Sequence, residues 1–401
     1  MDLNALGLHW DLEPGLRFLN HGSFGLAPRE LLRWRFAYLQ AIERDPVRFL
    51  VDQLPDELAR ARAALAQLVG AEPAQLAFVP STTYGLNQLL QRLDRLVDNM
   101  PPGSEILLTN HSYNATLNLV HYAAERHGWC VRQVPLPLPL SDPSEVVDAF
   151  AQVWTARTRL LLIDHITSPS ALVLPLRDLI LLARSRSAAV IVDGAHAPGS
   201  LPIDLQHLQP DAYVGNLHKW MCCPRGAAFL WVSQGWREKI RPLVISHGAN
   251  APAPLGVSRF QLEHDWIGTA DPTPWLALPE VLHLLGASGA GGLEILIQRH
   301  HRLAQEGQTQ LLAALGHTPL APASCQAAMA AVPLPPSHQL DGQALQRKLL
   351  ARGFQVPVIA RQPHLQEVEQ YLRISCFAYN TASDVIELAE ALPALLSDAA
   401  T

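Results

Sequence analysis

The feature of the sequence that most constrains its fold is an alternation of short apolar segments with helical patterns between about residues 55 and 280. Strands that alternate with helices pair in parallel through right-handed crossovers. Several of the segments are continuous apolar runs, which is typical of strands covered by helices on both faces. The predicted strands are Ala77–Val79, Glu105–Thr109, Cys130–Val134, Leu160–Asp164, Ala188–Asp193, Ala212–Val214 and Ala227–Val232. The predicted helices are Glu57–Val69, Tyr84–Leu96, Ala115–His127, Ser144–Ala156 and Arg177–Ser185.

The pattern changes after Pro272–Pro274. The later part of the sequence predicts a long helical region Pro279–Leu315, strands Ala327–Pro333 and Tyr371–Cys376, and helices Asp341–Arg352 and Ser383–Leu396. We therefore expect an α/β fold with a mainly parallel central sheet, helices on both faces, and a smaller C-terminal α+β domain. The expected parts are an N-terminal segment, 1–55, that crosses to the small domain, a large domain, 56–280, and the small domain, 281–401.

Composition argues against several classes of function. Hydrophobic residues make up 49% and charged residues 16% of the 401 residues, which suits an enzyme with a large buried core. The formal net charge of −6, without a run of Lys and Arg, argues against a nucleic-acid or membrane partner. The five cysteines follow no disulfide or zinc pattern, and Met1–Trp10 has no secretory signature. We therefore expect a cytoplasmic protein without a metal site.

In open α/β sheets, ligands bind beyond the carboxyl ends of the strands, so the residues that follow each predicted strand are of most interest. Ser81-Thr82-Thr83 follows Ala77–Val79 and opens a helix, where free backbone N–H groups can hold a phosphate. Ser and Thr are also ordinary helix N-caps, so this segment alone does not establish a phosphate site.

Two later strand ends carry groups with stronger chemical meaning. Asp193, in Asp193-Gly194-Ala195-His196, can pair with a pyridinium nitrogen and keep it protonated, although Asp-Gly is also a common turn. Lys219 lies in the mostly uncharged stretch Gly215–Trp220. Burial there would lower the pKa of its amine and allow attack on an aldehyde, whereas the alternative is an ordinary surface lysine.

Taken together and in this order, the segments Ser81–Thr83, Asp193–His196 and His218-Lys219 resemble the pyridoxal-phosphate (PLP) enzymes of fold type I in the class V aminotransferase group. Within that group, Leu19–Gly25 and Asp164–Pro169 resemble the isopenicillin N epimerase-like branch, which also includes hercynylcysteine sulfoxide lyases. The resemblance covers about residues 17 to 380. It implies PLP as cofactor, a small amino-acid substrate, and a homodimer with shared active sites.

The resemblance also implies a role for each matching residue. Lys219 would form the Schiff base and move protons at Cα, and Asp193 would pair with the ring nitrogen. Tyr113 would stack on the ring or act as an acid, with His111 as the competing candidate. The other implied cofactor contacts are Ser81, Thr82, Thr83, Ser168, His196, Asn216, His218 and, reaching a neighbouring subunit, Thr269. Arg373 matches the arginine that binds the substrate α-carboxylate in this family. From their positions in the sequence, Asn20, His21 and Arg225 are further candidate substrate contacts. Arg225 would hold a second substrate carboxylate, or else cap a turn at Pro224-Arg225-Gly226.

The fold does not decide between β-elimination, epimerisation and transamination at Cα. Arg361–Gln370 contains no Cys where related desulfurases need a nucleophilic thiol, which argues against persulfide-forming desulfuration. We expect a C–S β-lyase acting on a cysteine-derived conjugate or sulfoxide, because one proton acceptor is enough for that reaction. An epimerase would need an acid on the opposite face, for which Tyr113 is the candidate.

Three further readings of the sequence carry less support. A PLP-binding module without activity would tend to lose Lys219 or Asp193, and both are present. A PLP-binding transcription regulator would need a basic helix-turn-helix segment, which the first 55 residues do not suggest. A metallohydrolase would rely on Asp164, His165 and His196.

Overall fold

The computed structural model describes residues 8–399 except 255, 287–291, 337 and 362–368. In that part of the chain, the strands are β1 Arg17–Phe18, β2 Leu76–Val79, β3 Glu105–Thr109, β4 Cys130–Val134, β5 Thr158–Asp164, β6 Ala189–Asp193, β7 Ala212–Asn216, β8 Ala228–Val232, β9 Met329–Leu334, β10 Phe354–Gln355, β11 Val358–Ala360 and β12 Gln370–Ser375. The helices are α1 His21–Phe24, α2 Arg29–Arg44, α3 Leu54–Val69, α4 Thr82–Leu90, α5 Leu93–Leu96, α6 Asn114–His127, α7 Ser144–Val153, α8 Leu176–Ser185, α9 Leu205–Leu208, α10 Gln234–Arg237, α11 Arg259–Asp265, α12 Thr273–Leu276, α13 Leu278–Gly286, α14 Leu293–Leu315, α15 Gly342–Ala351 and α16 Ala382–Ala399.

The large sheet has seven strands in the order β2-β8-β7-β6-β5-β3-β4. Strands β7, β6, β5, β3 and β4 pair in parallel, which confirms the expected mainly parallel sheet. Strand β8 is the exception, since it runs antiparallel to both β7 and β2. The direction of this strand was not predicted from the sequence. It follows from the connection from β7, which contains no helix, since a short connection can return only antiparallel.

The buried side chains of this sheet form two cores, one on each face. Leu161 and Ile163 of β5 belong to one cluster, and Leu160 and Leu162 of the same strand belong to the other. Side chains alternate between the two faces of a strand, so a strand buried on both faces has to be apolar at every position. This explains the continuous apolar runs of the sequence.

A third core lies around the three-stranded antiparallel sheet β11-β12-β9 and its helices α14, α15 and α16. The N-terminal segment joins this unit, because β1 pairs with β10 in parallel and Leu19 is fully buried in the same core. Asn20 then bridges to Ser375 at the end of β12. Residues 20–25 thereby lie between the small sheet and the large one.

Two helices of the sequence prediction are divided in the structure. The predicted helix Tyr84–Leu96 is α4 followed by the short α5, and the predicted region Pro279–Leu315 contains α13 and α14. Gly292, the residue before α14, has φ +88°, so the backbone there is not helical. A residue without Cβ adopts this conformation at little cost, which makes it suited to begin a separate helix. Among the described residues, no helix is both long and apolar enough to cross a bilayer.

Candidate active site

A cavity of about 380 Å³ lies at the carboxyl ends of β2, β5, β6 and β7. The small sheet, Ser23 and Phe24 of the N-terminal segment, and Ser112, Tyr113 and Asn114 at the start of α6 provide its remaining walls. The predicted site residues that line it are Ser81, Thr82, Thr83, Tyr113, Ser168, Asp193, His196, Asn216, His218, Lys219 and Arg373. The structure therefore brings together the residues that the sequence places after separate strands, as the strand-end rule predicts.

Two carboxyl groups lie side by side in the cavity, because Asp164 and Asp193 end neighbouring parallel strands in register. Burial and the neighbouring Asp193 raise the pKa of Asp164 well above its usual range. Burial also raises the pKa of Asp193, but the backbone N–H of Ala195 (3.1 Å) and the hydroxyl of Thr116 (3.0 Å) donate to its carboxylate and oppose this rise. The hydroxyl of Ser112 likewise donates to Asp164 at 2.8 Å, but repulsion from Asp193 adds to its burial, so Asp164 holds a proton more strongly and Asp193 is the first of the two to ionise.

The turn after Asp193 depends on a close approach of the backbone to an aromatic ring. A Cβ on Gly194 would lie 2.2 Å from the ring of Tyr213, so a larger residue does not fit there without displacing β7. This is a physical reason for the Asp-Gly pair at the end of β6.

Lys219 lies three residues after β7, and its mostly buried side chain lines the cavity. Its Nζ lies 3.2 Å from Nε2 of His196. Burial and, to a smaller extent, the charge of Arg373 lower the pKa of Lys219 to about 7, against the opposing effect of Asp193. Burial also lowers the pKa of His196 well below its usual range, so its ring is neutral and Nε2 can accept from the lysine when the amine is protonated.

The start of α4 provides the predicted anion site. Ser81 acts as the N-cap, since its hydroxyl accepts from the backbone N–H of Tyr84 at 3.1 Å. The backbone N–H of Thr82 donates to Oδ1 of Asn216 (2.9 Å), which ties the helix start to the end of β7. The hydroxyl of Thr82 is buried and has no hydrogen-bond partner among the described residues. It is thus available to a ligand in the cavity.

Arg373, on β12, enters the cavity from the small sheet. Its Nη1 donates to the backbone O (2.7 Å) and Oγ (3.1 Å) of Ser168, and its Nη2 donates to Oγ of Ser23 at 3.1 Å. Although the side chain is 2% exposed, no carboxylate pairs with it among the described residues. Burial lowers its pKa to about 10, so it stays charged at neutral pH. A buried, unpaired guanidinium is well placed to bind a carboxylate.

The two candidates for the ring-stacking residue are placed differently. Tyr113, just before α6, is 47% exposed and lines the cavity. His111 is 2% exposed and points away, with its Nδ1 2.9 Å from Oγ of Ser170. The geometry thus favours Tyr113 over His111.

Four predicted contacts lie off the cavity. His21 is fully buried and stacked on Phe377, and Asn20 accepts from the hydroxyl of Ser23 at 2.5 Å. Arg225 is exposed, and its nearest polar partner is the backbone O of Gly25 at 3.4 Å. Thr269 is also exposed. None of the four is among the residues that line the cavity.

Ser23 and Phe24 line the cavity, although neither was predicted as an individual contact. Both lie in the segment Leu19–Gly25, which the sequence singled out only as a whole. Thr116, which donates to Asp193, and the neighbouring carboxyl of Asp164 were also missed as parts of the site. Thr116 is three residues beyond Tyr113, so the helical spacing of α6 is the signal that could have identified it.

The side chains of the metal-centre alternative do not converge. His165 pairs with the hydroxyl of Tyr213 at 2.9 Å, whereas His196 faces Lys219. The described part of the chain has no group of three or more His, Cys, Asp or Glu side chains that could hold a metal ion. The geometry therefore adds no support to a metallohydrolase built on Asp164, His165 and His196.

The cavity chemistry fits PLP. A lysine with a depressed pKa, a charged carboxylate at a strand end and an unpartnered hydroxyl at a helix start match an aldehyde, a pyridinium and a phosphate respectively. Together with the seven-stranded sheet, these groups define a PLP-dependent enzyme of fold type I. The chain belongs to the class V aminotransferase family, whose profile matches residues 41–388.

Comparison with individual proteins agrees with this assignment. The chain is 33% identical over 402 residues to isopenicillin N epimerase of Streptomyces clavuligerus, with 96% of each chain covered. It is 29% identical to the putative L-cysteine desulfhydrase 1 of Oryza sativa subsp. japonica, covering 97% of this chain and 85% of the relative. The fold is similar, with a TM-score of 0.77 and 24% identity, to a C-DES variant with glycine covalently linked to its PLP cofactor, covering 94% and 96% of the two chains.

Proposed function

We propose that this enzyme cleaves the C–S bond of an S-substituted L-cysteine, or of its sulfoxide, by β-elimination. The balanced reaction consumes one water and yields pyruvate, ammonium and the thiol, or the sulfenic acid when the substrate is a sulfoxide. The relatives named as L-cysteine desulfhydrases support a reaction of this class. The observation that carries the proposal is a cavity with one lysine amine, one carboxylate-binding arginine and no thiol.

PLP, when bound, supplies an aldehyde for the substrate amine and a protonated ring that withdraws electrons from Cα. The start of α4 with Thr82 and Thr83, together with Asn216 and His218, would hold the phosphate. Asp193 would hold the ring nitrogen in its protonated form, because its charge lies at the end of β6 in the same cavity.

Lys219 would bind the aldehyde and later accept the proton from Cα. The chain has three lysines, and the other two are held elsewhere: Lys239 donates to Asp98, and Lys348 donates to the backbone O of Asp398. With a pKa of about 7, the amine of Lys219 has lost its proton in about half of the molecules at neutral pH and in most of them above it, as a general base must. The ring of His196 holds this amine on the cavity side.

Arg373 would bind the α-carboxylate and fix the substrate beside Lys219. Its guanidinium is oriented by Ser168 on one side and Ser23 on the other. A donor group that is already oriented loses little freedom when the ligand binds, which favours a tight and directional contact.

No enzyme thiol is needed for elimination, and none of the five cysteines lines the cavity. The predicted thiol-free loop Arg361–Gln370 lies largely outside the described residues. Burial raises the pKa of the Cys222 and Cys223 thiols, which keeps them protonated and poorly nucleophilic.

The mouth of the cavity indicates the kind of sulfur substituent. Phe24, 65% exposed, and Pro357, Ile359 and Ala360 of the small domain form an apolar rim. Arg361, the next cation along the chain, is held by Glu369. A neutral, partly apolar substituent would therefore bind better than one with a second carboxylate.

Epimerisation at Cα is the second candidate. Two observations favour it, namely the 33% identity to isopenicillin N epimerase and the presence of Tyr113 in the same cavity as Lys219. A phenol there would supply the acid that inversion requires. Transamination is a third outcome at the same carbon, without a specific observation in its favour.

We also propose a homodimer in which Thr269 reaches the phosphate of the neighbouring subunit. Thr269 is exposed and off its own cavity, as such a role requires. Sedimentation equilibrium of wild type, and reconstitution of Thr269→Ala with PLP, test this: a dimer with weakened PLP affinity is expected, whereas a monomer with full affinity would contradict it.

The decisive experiment incubates the holoenzyme in D2O with S-benzyl-L-cysteine, its sulfoxide, and S-carboxymethyl-L-cysteine as the matched charged compound. We expect pyruvate in amounts equal to the released sulfur product, faster from the benzyl compounds, and none with Lys219→Ala. If the recovered substrate instead carries deuterium at Cα and includes the D-isomer, and no pyruvate forms, the reaction is epimerisation and not β-elimination. If pyruvate forms faster from the carboxymethyl compound, the proposed β-elimination stands but the proposed preference for an apolar sulfur substituent is wrong.

A further inference from the structure

Behind the cavity, His21 connects the N-terminal segment to the backbone of Lys219. Its Nε2 lies 3.1 Å from the backbone O of Lys219, and its Nδ1 lies 2.8 Å from the hydroxyl of Tyr379. The ring stacks on Phe377 with centroids 3.8 Å apart and planes within 3°. His21 is fully buried and does not line the cavity, so it has no direct path to a substrate.

These partners determine which nitrogen of His21 carries the proton. Burial lowers the pKa of His21 to about 3, so the ring is neutral at physiological pH. A carbonyl oxygen can only accept, so Nε2 must be the N–H that donates to Lys219. Nδ1 must then accept from the hydroxyl of Tyr379. The result is a directed chain of two hydrogen bonds that ends on the carbonyl of Lys219.

That carbonyl also closes the turn in which Lys219 lies. The backbone N–H of Cys222 donates to the same oxygen at 3.0 Å. Cys222 has φ +56°, a left-handed conformation that a residue with a side chain adopts only where its surroundings enforce it. The second hydrogen bond, from His21, is one of the contacts that hold this turn closed.

The same segment approaches the lysine backbone at Gly25, which has φ +66°. A Cβ on Gly25 would lie 2.1 Å from the backbone O of His218 and 2.7 Å from that of Lys219. The N-terminal segment is therefore packed directly against the peptide that carries the lysine. Ser23 lies between His21 and Gly25 in the sequence, and its hydroxyl accepts a hydrogen bond from Arg373.

We propose that His21 is a positioning residue for Lys219, which fixes the lysine backbone through its carbonyl and so holds the amine at His196 and the cavity. The proposal rests on the role given to Lys219 under the proposed function. It assigns to the N-terminal segment a part in the proton-transfer step that is separate from substrate binding.

The test compares three variants in the apoprotein. His21→Gln keeps an N–H donor near the position of Nε2, and His21→Leu removes the donor. Phe377→Leu removes the stacking partner of the same ring but leaves both of its hydrogen bonds possible, and so controls for lost packing. Two readouts are used: hydrogen exchange of a peptide spanning residues 218–224, and the rate at which added PLP develops its lysine-dependent visible absorbance.

For His21→Leu we expect the exchange of that peptide to quicken and PLP capture to slow by about tenfold, the effect of losing one buried hydrogen bond. His21→Gln should recover most of both, and Phe377→Leu, which keeps both hydrogen bonds of His21, should change both readouts clearly less than His21→Leu does. Equal effects of His21→Leu and Phe377→Leu, or no recovery in His21→Gln, would reduce His21 to a packing residue and overturn the proposal. Unchanged PLP capture by Lys219→Ala would instead refute the role of Lys219, and with it the proposed function.

Discussion

The floor and the wall of the cavity are built in different ways. We call Thr82, Asp193, Asn216 and Lys219 the cofactor floor, and Ser23, Phe24, Ser168, Ile359 and Arg373 the substrate wall. Each floor residue stands at, or shortly after, the end of a strand of one sheet. The wall is assembled from the N-terminal segment, the loop after β5 and the small sheet, so that Arg373 bonds to partners 205 and 350 residues away.

This structural difference suggests that the floor residues carry the chemical step and the wall residues bind the substrate. The floor is rigid, because its residues extend from neighbouring strands buried on both faces. The wall depends on how the small domain and the N-terminal segment pack against the large sheet. Substitutions in the floor should therefore lower the turnover number, whereas substitutions in the wall should mainly raise KM.

The largest effect is expected for Lys219→Ala, which removes the only lysine of the floor. Turnover should fall by roughly 10³-fold or more, because the group that would accept the Cα proton is lost. The lysine-dependent visible absorbance of the holoenzyme should disappear with it, while far-UV circular dichroism stays unchanged. Retention of the absorbance would show that Lys219 is not the residue that binds PLP.

Asp193→Asn should have the next largest effect, because it replaces by a neutral amide the carboxylate that would hold the ring nitrogen of PLP. We expect kcat to fall by about 10²-fold or more, with little change in KM, as for the loss of a fixed electrostatic contact in an active site. Steady-state kinetics of the reconstituted variant measure both parameters. Asp164→Asn is the matched control, since Asp164 holds its proton and its amide analogue should cost much less.

In the wall, Arg373→Lys should act on binding. A lysine cannot donate to Ser168, Ser23 and a carboxylate in one plane, so the substrate contact is weakened. Hydrogen bonds to charged groups contribute about 1.5–3 kcal/mol, which corresponds to roughly a 10- to 100-fold rise in KM. An equal fall in kcat would show that wall and floor are not separable.

The sequence alone predicted the floor well because its signals are local. Asp193 and Lys219 follow apolar strands directly, and the carboxyl ends of parallel strands meet at one edge. Strands β3 and β4 begin and end at the predicted residues. The exception, β8, was predicted as a strand but not in its direction, which depends on a connection without a helix.

The wall was predicted less well because it depends on long-range packing. His21 and Ser23 are two residues apart, yet one faces Phe377 in the core and the other faces Arg373 in the cavity. No local pattern distinguishes them, since their directions are set by residues about 350 positions later. The same holds for Arg225, whose distance from the cavity is a property of the packed chain.

The pH dependence of PLP capture by the apoprotein tests the lowered pKa of Lys219 without any substrate. The amine of Lys219 can attack the PLP aldehyde only after it loses its proton, and burial lowers its pKa to about 7. The rate of PLP capture by the apoprotein should therefore rise as the pH is raised towards about 7 and level off above it. At one unit below that pKa, the rate should be about tenfold lower than the plateau. A rate that continued to rise up to pH 10 would indicate an exposed lysine with its ordinary pKa.

The smallest effect is expected for Arg225→Met. The sequence suggested that Arg225 holds a second substrate carboxylate, in which case KM for a dicarboxylic substrate would rise selectively. In the structure it is exposed and contacts the backbone O of Gly25 at 3.4 Å, outside the cavity, where a charge is well screened. We therefore expect less than about a twofold change in KM for S-carboxymethyl-L-cysteine and S-benzyl-L-cysteine alike, as for most surface substitutions. A selective rise for the carboxymethyl compound would place Arg225 in the wall after all, and would mean that the N-terminal segment moves when substrate binds.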